Sequence, residues 1–107
     1  MIEIVVVLTT VADNDGAATL ARQLVDERLA ACVNLYPVME SFYRWKGQVE
    51  REAERQMVIK TTRDRVGALE ARLTELHSYD LPEFVVLTVH QAGAVYAAWI
   101  GEQVEDR

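Results

Sequence analysis

The chain has 107 residues, half of them hydrophobic, and 17 acidic against 11 basic side chains give it a formal charge of −6. That length fits one domain, spanning 1–107, and the charge argues against the clustered Lys and Arg that nucleic acid or an anionic membrane surface would require. A lone cysteine, Cys32, excludes an intrachain disulfide, no apolar run approaches the roughly 20 residues of a membrane span, and the opening MIEIVVV lacks the basic start of a signal peptide, so a soluble, cytoplasmic protein is expected.

Ile2 to Thr10 is β-branched and almost continuously apolar, the composition of a strand covered on both faces. The turn cluster ADNDG follows, with Asp13, Asn14 and Asp15 as candidate caps. Ala17, Leu20, Ala21, Leu24 and Val25 then repeat at helical spacing, which predicts a helix ending near Ala30. Cys32 to Trp45 reads as extended chain interrupted by Pro37. Lys46-Gly47 supplies a turn, and Gln48 to Thr62 is extended again, so the two stretches form a long hairpin. Arg63 to Leu76 is helical, with Val66, Leu69, Leu73 and Leu76 on one stripe. After the connector HSYDLPEF come a last strand, Phe84 to Val89, and a C-terminal helix, Ala94 to Val104. The order β-α-β-β-α-β with a final helix predicts an α+β, ferredoxin-like sandwich of one sheet and two crossover helices.

Both crossover helices of such a sandwich lie on one side of the sheet. In the first strand Ile2, Ile4, Val6 and Leu8 point one way, while Val5 and Val7 point the other and are equally apolar. The last strand repeats this, with Phe84 and Val86 opposed to Val85, Leu87 and Val89. At least four sizeable apolar side chains therefore face away from the helices, each worth roughly 1.5–3 kcal/mol if buried. The C-terminal helix can cover part of this face. Further copies of the chain, in a cyclic assembly, are expected to cover the rest.

Several functions hosted by this fold leave marks that are missing here. The central strands IEIVVVLTT and QMVIKTT carry no stacking aromatics for RNA. The loop after the first strand, TTVADNDG, has no Cys-x-x-Cys for a soft metal and no Gly-rich anion loop. No Ser-His-Asp set or phosphate-binding glycine motif stands out, and no enzymatic reaction is expected.

Four stretches carry a resemblance. ERLAACVNLYP (27–37), SFYRWKGQVE (41–50), MVIKTT (57–62) and HSYDLPEF (77–84) resemble, in order, the motifs of the CutA family of divalent-cation tolerance proteins. The resemblance implies a homotrimer similar to the nitrogen-regulatory PII proteins, with small ligands held in clefts between subunits. It also implies a link to copper or another divalent cation. His77 and Glu83 are the metal candidates on this reading, and Thr9 and Leu76 stand where some members carry Cys and His. Lys60, on a strand expected to be central, needs a carboxylate partner such as Glu83 or Asp80. Tyr79, Asp80 and Trp45 are candidates for the intersubunit cleft. Cys32 is either a small buried residue or a soft ligand. A PII-like sensor of a small organic ligand and a purely structural assembly are the alternative functions.

Overall fold

The computed structural model describes residues 2–105. The elements are β1 (Ile4–Ala12), α1 (Gly16–Asp26), β2 (Cys32–Leu35), β3 (Met39–Trp45), β4 (Gln48–Thr62), a 3-10 turn (Arg63–Arg65) running into α2 (Val66–Leu76), β5 (Val85–Thr88) and α3 (Ala94–Gln103). They make a single antiparallel sheet in the order β2-β4-β1-β5, with β3 paired to the other half of β4. This is the ferredoxin-like arrangement, extended by α3.

The 15-residue β4 organises the sheet. Its second half pairs with β1 and β2, from Ile4 opposite Thr62 through Cys32 opposite Lys60. Its first half projects with β3 as a two-stranded arm, from Met39 opposite Glu54 to Trp45 opposite Gln48. The arm closes at Lys46 (φ 51°) and Gly47 (φ 81°), two left-handed residues of the kind a tight hairpin needs. Pro37 falls in the break between β2 and β3.

Alternation along β1 separates two cores. Val5, Val7 and Val11 pack beneath α1 and α2 with Met57, Ile59, Leu20, Leu24, Leu69 and Leu73. On the opposite side Ile4 joins Ala31, Ile100 and Val104, so α3 covers one end of the second face. The remainder of that face is open. Val6, Leu8 and Val58 are half-buried, and Val85 and Leu87 keep 44% and 45% of their surface exposed. Both sides of the sheet are apolar, and the two crossover helices cover only one of them.

The first helix stops four residues earlier than its apolar pattern suggests. Arg28 adopts φ 60°, and the amides of Leu29 and Ala30 both return to the Leu24 carbonyl. A left-handed residue closes a helix in this way, usually as glycine. Arginine at this position carries strain, and its guanidinium Nη1 donates to the Gln103 carbonyl at 3.1 Å, tying the end of α1 to the end of α3. Leu29 and Ala30 are buried as the chain leaves the helix. Their apolarity reflects burial and not helical periodicity.

Thr9 lies on the helix-facing side of β1, fully buried, and among the described residues its hydroxyl has no hydrogen-bond partner. An orphaned buried hydroxyl costs about 1–3 kcal/mol. Thr9→Val keeps the shape and removes the polar atom. Its denaturation midpoint, measured beside the wild type at equal protein concentration, is expected to rise by the equivalent of about 1–2 kcal/mol.

Candidate functional site

A cleft of about 560 Å³ lies at the foot of the arm. Thr10 enters it from the end of β1, Ser41, Tyr43 and Trp45 from β3, and Glu54 from β4. Tyr79, Asp80, Leu81, Pro82 and Glu83 of the connector between α2 and β5 form the opposite wall.

His77 builds that wall. The backbone turns extended there (φ −71°, ψ 141°), and the His77 amide still donates to the Leu73 carbonyl at 2.8 Å, closing α2. The imidazole is buried, its Nε2 lies 2.8 Å from the Thr10 carbonyl, and its Nδ1 lies 3.1 Å from the Tyr79 amide. An amide can only donate and a carbonyl can only accept. The ring is therefore the neutral tautomer with its proton on Nε2, and both nitrogens are engaged.

Two further bonds pin the connector to the sheet. The Tyr79 hydroxyl donates to Glu54 Oε2 at 2.7 Å, and Glu54 is only 6% exposed. The Gln56 side-chain amide donates to the Thr9 carbonyl at 2.8 Å and to Glu83 Oε2 at 3.2 Å. Burial pushes the Tyr79 phenol well above its ordinary range, and the bond to Glu54 and that residue's charge push it the same way. The Tyr43 phenol is also raised, first by burial and then by the charges of Glu52, Glu54 and Glu50. The cleft gathers acidic side chains between aromatic walls, with Arg44 also on its lining.

Of the sequence-derived candidates, Trp45, Tyr79, Asp80 and Glu83 meet in this cleft. His77 lies behind its wall, beside a separate groove of about 110 Å³. Lys60 and Cys32 are elsewhere, directly opposed across β4 and β2 on the open sheet face. The expected pairing of Lys60 with Glu83 or Asp80 is not made. Glu83 is held by Gln56, four residues before Lys60 on β4, and among the described residues no hydrogen bond or ion pair engages the Lys60 ammonium. Cys32 is half-buried, not enclosed, and its thiol lies 3.9 Å from Asn34 Oδ1.

Glu54 and Gln56 are the functional-site residues that sequence reading missed. They sit among the charged residues of the arm, where a solvated face is the default expectation. Only their even-numbered register with Lys60 and Val58 hints that they turn toward the sheet's open side.

Chemically the cleft offers carboxylates, phenols, an indole and the Arg44 guanidinium. No group of three or more His, Cys, Asp or Glu side chains that could hold a metal occurs among the described residues. With both His77 nitrogens occupied and Cys32 distant, the imidazole and thiolate donors that suit copper are not assembled within one chain. No helix among those residues is long and apolar enough to cross a membrane.

Residues 5–103 match the family model for CutA1, the divalent ion tolerance protein. The chain belongs to the CutA1 family. The divalent-cation tolerance protein CutA of Thermus thermophilus is 42% identical over 97 residues, which is 91% of this chain and 94% of that protein. The solved structure of the Thermus thermophilus protein superposes with a TM-score of 0.90 at 41% identity, covering 98% of this chain and 100% of that one. A CutA from Archaeoglobus fulgidus described as periplasmic superposes with a TM-score of 0.91 at 27% identity, covering 95% and 99%. The CutA1 match runs from β1 through the end of α3, so it includes the cleft and the open face.

The Tyr79–Glu54 bond has a pH signature. A phenol whose folded value is raised adds stability that is complete below its ordinary value near 10 and is lost as pH rises through the shifted one. In a spectrophotometric titration of the native protein, Tyr79 is expected to remain un-ionised at about pH 11. Tyr79→Phe should leave the absorbance change up to that pH unaltered. The same variant should lower stability by about 1–3 kcal/mol, because buried Glu54 loses its donor.

Proposed function

We propose that this chain acts as a homotrimer in divalent-cation tolerance, and that its ligand is held in the arm-foot cleft once a neighbouring copy closes it. The carrying observation is the open sheet face, where Val6, Leu8, Val58, Val85 and Leu87 line a surface that α3 does not reach. Apolar patches of this kind mark association surfaces. A cytoplasmic setting is part of the proposal and agrees with a single, unpaired cysteine.

The cation role falls on Glu83 and Asp80 of the cleft, supplemented by the adjoining subunit. Their carboxylates suit a harder divalent cation better than copper. His77 acts by holding the wall. A small organic ligand is the second reading, favoured by the Tyr43 and Trp45 rings that line the cleft beside the acids. Both readings concern binding.

Native mass spectrometry tests the assembly and the ligand assignment together. The expected species has three times the 12.1 kDa mass of one chain. It should gain Mn²⁺ or Cu²⁺ in wild type, gain somewhat less in His77→Ala, whose cleft wall is loosened, and gain least in Glu83→Gln. A single-chain mass would contradict the assembly, and loss of uptake confined to His77→Ala would contradict the assignment to carboxylates.

A further inference from the structure

His77 fits its place in the cleft wall in one protonation state only. The ring is 8% exposed, its Nε2–H donates to the Thr10 carbonyl at 2.8 Å, and its Nδ1 accepts from the Tyr79 amide at 3.1 Å. Both partners are backbone groups, so neither can exchange roles with the ring. A second proton, on Nδ1, would point at the Tyr79 amide hydrogen. That amide would lose its acceptor, and two positive hydrogens would face each other. The closed wall is built for the neutral ring, and an imidazolium is accommodated only when His77 and the Tyr79 amide separate.

Among the described residues no carboxylate stands where it could hold a charged ring inside the closed wall. The groove beside the ring is lined from β1, α1, α2 and the connector, and apart from His77 none of its lining residues is charged or titratable; Asn14 and Ser78 are its polar side chains. Asp13 and Asp15 flank Asn14 but are exposed, as is Asp80. The titratable groups facing the ring are Tyr79, its ring centroid 4.8 Å away, and, beyond the Tyr79 hydroxyl, Glu54 of β4. Glu54 already accepts that hydroxyl's bond, so it holds the connector and not the imidazole. Outside the groove the charge is better placed, because α2 ends at Leu76 and the C-terminus of a helix stabilises a cation.

Resting on the reading of the arm-foot cleft as a binding site, we propose that His77 is a pH-operated latch on that cleft, closed by the neutral ring and opened when the ring gains a proton. Histidine is the side chain that ordinarily changes charge between pH 8 and pH 5, so the wall is complete near neutrality and released on acidification. Opening frees the Tyr79 amide from Nδ1 and draws the Tyr79 hydroxyl off Glu54, while Gln56 keeps its hold on Glu83 at the far end of the connector. The moving part is the short run between those two anchors, which carries Asp80, Leu81 and Pro82 of the cleft lining. A ligand that needs the closed wall is bound at neutral pH and released in acid. By linkage the same ligand, once bound, opposes protonation of the ring.

Nuclear magnetic resonance of the ligand-free protein tests the latch. Across pH 8 to 5, the His77 Cε1 proton reports the charge of the ring, and the Tyr79 amide reports the wall. As the ring gains its proton, the protection of the Tyr79 amide, taken relative to its intrinsic exchange rate at each pH, is expected to fall about tenfold or more. His77→Asn offers Oδ1 as an acceptor for the Tyr79 amide and cannot titrate, so its protection should stay constant over the same range. The wild-type measurement decides the matter alone should that variant unfold. A ring that becomes charged while the Tyr79 amide stays protected overturns the proposal, and so does a folded protein whose ring takes no proton down to pH 5. Equal loss of protection in His77→Asn overturns it as well. In these three cases the binding reading stands, because no ligand is present. Mn²⁺ uptake at pH 8, followed by native mass spectrometry, tests that reading separately: no uptake removes it and the gate with it.

Discussion

A strand that is apolar on both sides must be buried on both sides, and this requirement shapes the whole molecule. β1 and the second half of β4 supply such strands. The chain has enough helix to satisfy one face and one end of the other. α1 and α2 take the first face through Val5, Val7, Met57 and Ile59. α3 takes Ile4. What remains is a surface of valines and leucines with a single ammonium at its centre, and the arm extends well beyond the compact part of the fold, giving overall dimensions of 45 × 26 × 23 Å. An isolated copy has more apolar sheet than it can cover and more arm than it can pack. In the proposed trimer the same excess, shared between copies, becomes an interface.

The cleft depends on that architecture. Its floor is the continuation of the open face into the arm, and its far wall is a connector too short to be held by a core of its own. Four side-chain bonds replace that core. His77 grips Thr10 and the Tyr79 amide, Tyr79 grips Glu54, and Gln56 grips Glu83. Each is made by a buried or half-buried group, where a hydrogen bond is worth most and its loss is most disruptive. A histidine in a family linked to metals invites a ligand role, yet here the ring is used on both edges to position the residues that do face the cleft.

Element order was legible because composition and period changed together at the boundaries. Gly47 and Arg63 bracket β4, and the predicted and observed limits coincide at Gln48 and Thr62. The end of α1 was not legible. Leu29 and Ala30 prolong the apolar pattern, while the backbone has already reversed at Arg28. Of the site, Trp45, Tyr79, Asp80 and Glu83 could be grouped from the sequence, because their motifs resemble those of one family. The positions of Lys60 and Cys32 required the strand register, which places them away from the acids that seemed natural partners. Glu54 and Gln56 bond residues 25 and 27 positions away, across two turns of chain that no local pattern reports.

The central claim is that the open sheet face is covered by other copies of this chain. Isotope-filtered nuclear Overhauser spectroscopy on a mixture of methyl-labelled and unlabelled protein reads this directly. The account predicts intermolecular cross-peaks from the methyls of Val6, Leu8, Val58 and Leu87 to aromatic protons of an unlabelled copy. Methyls at those four positions with intramolecular and water cross-peaks only, in a folded sample, would contradict it.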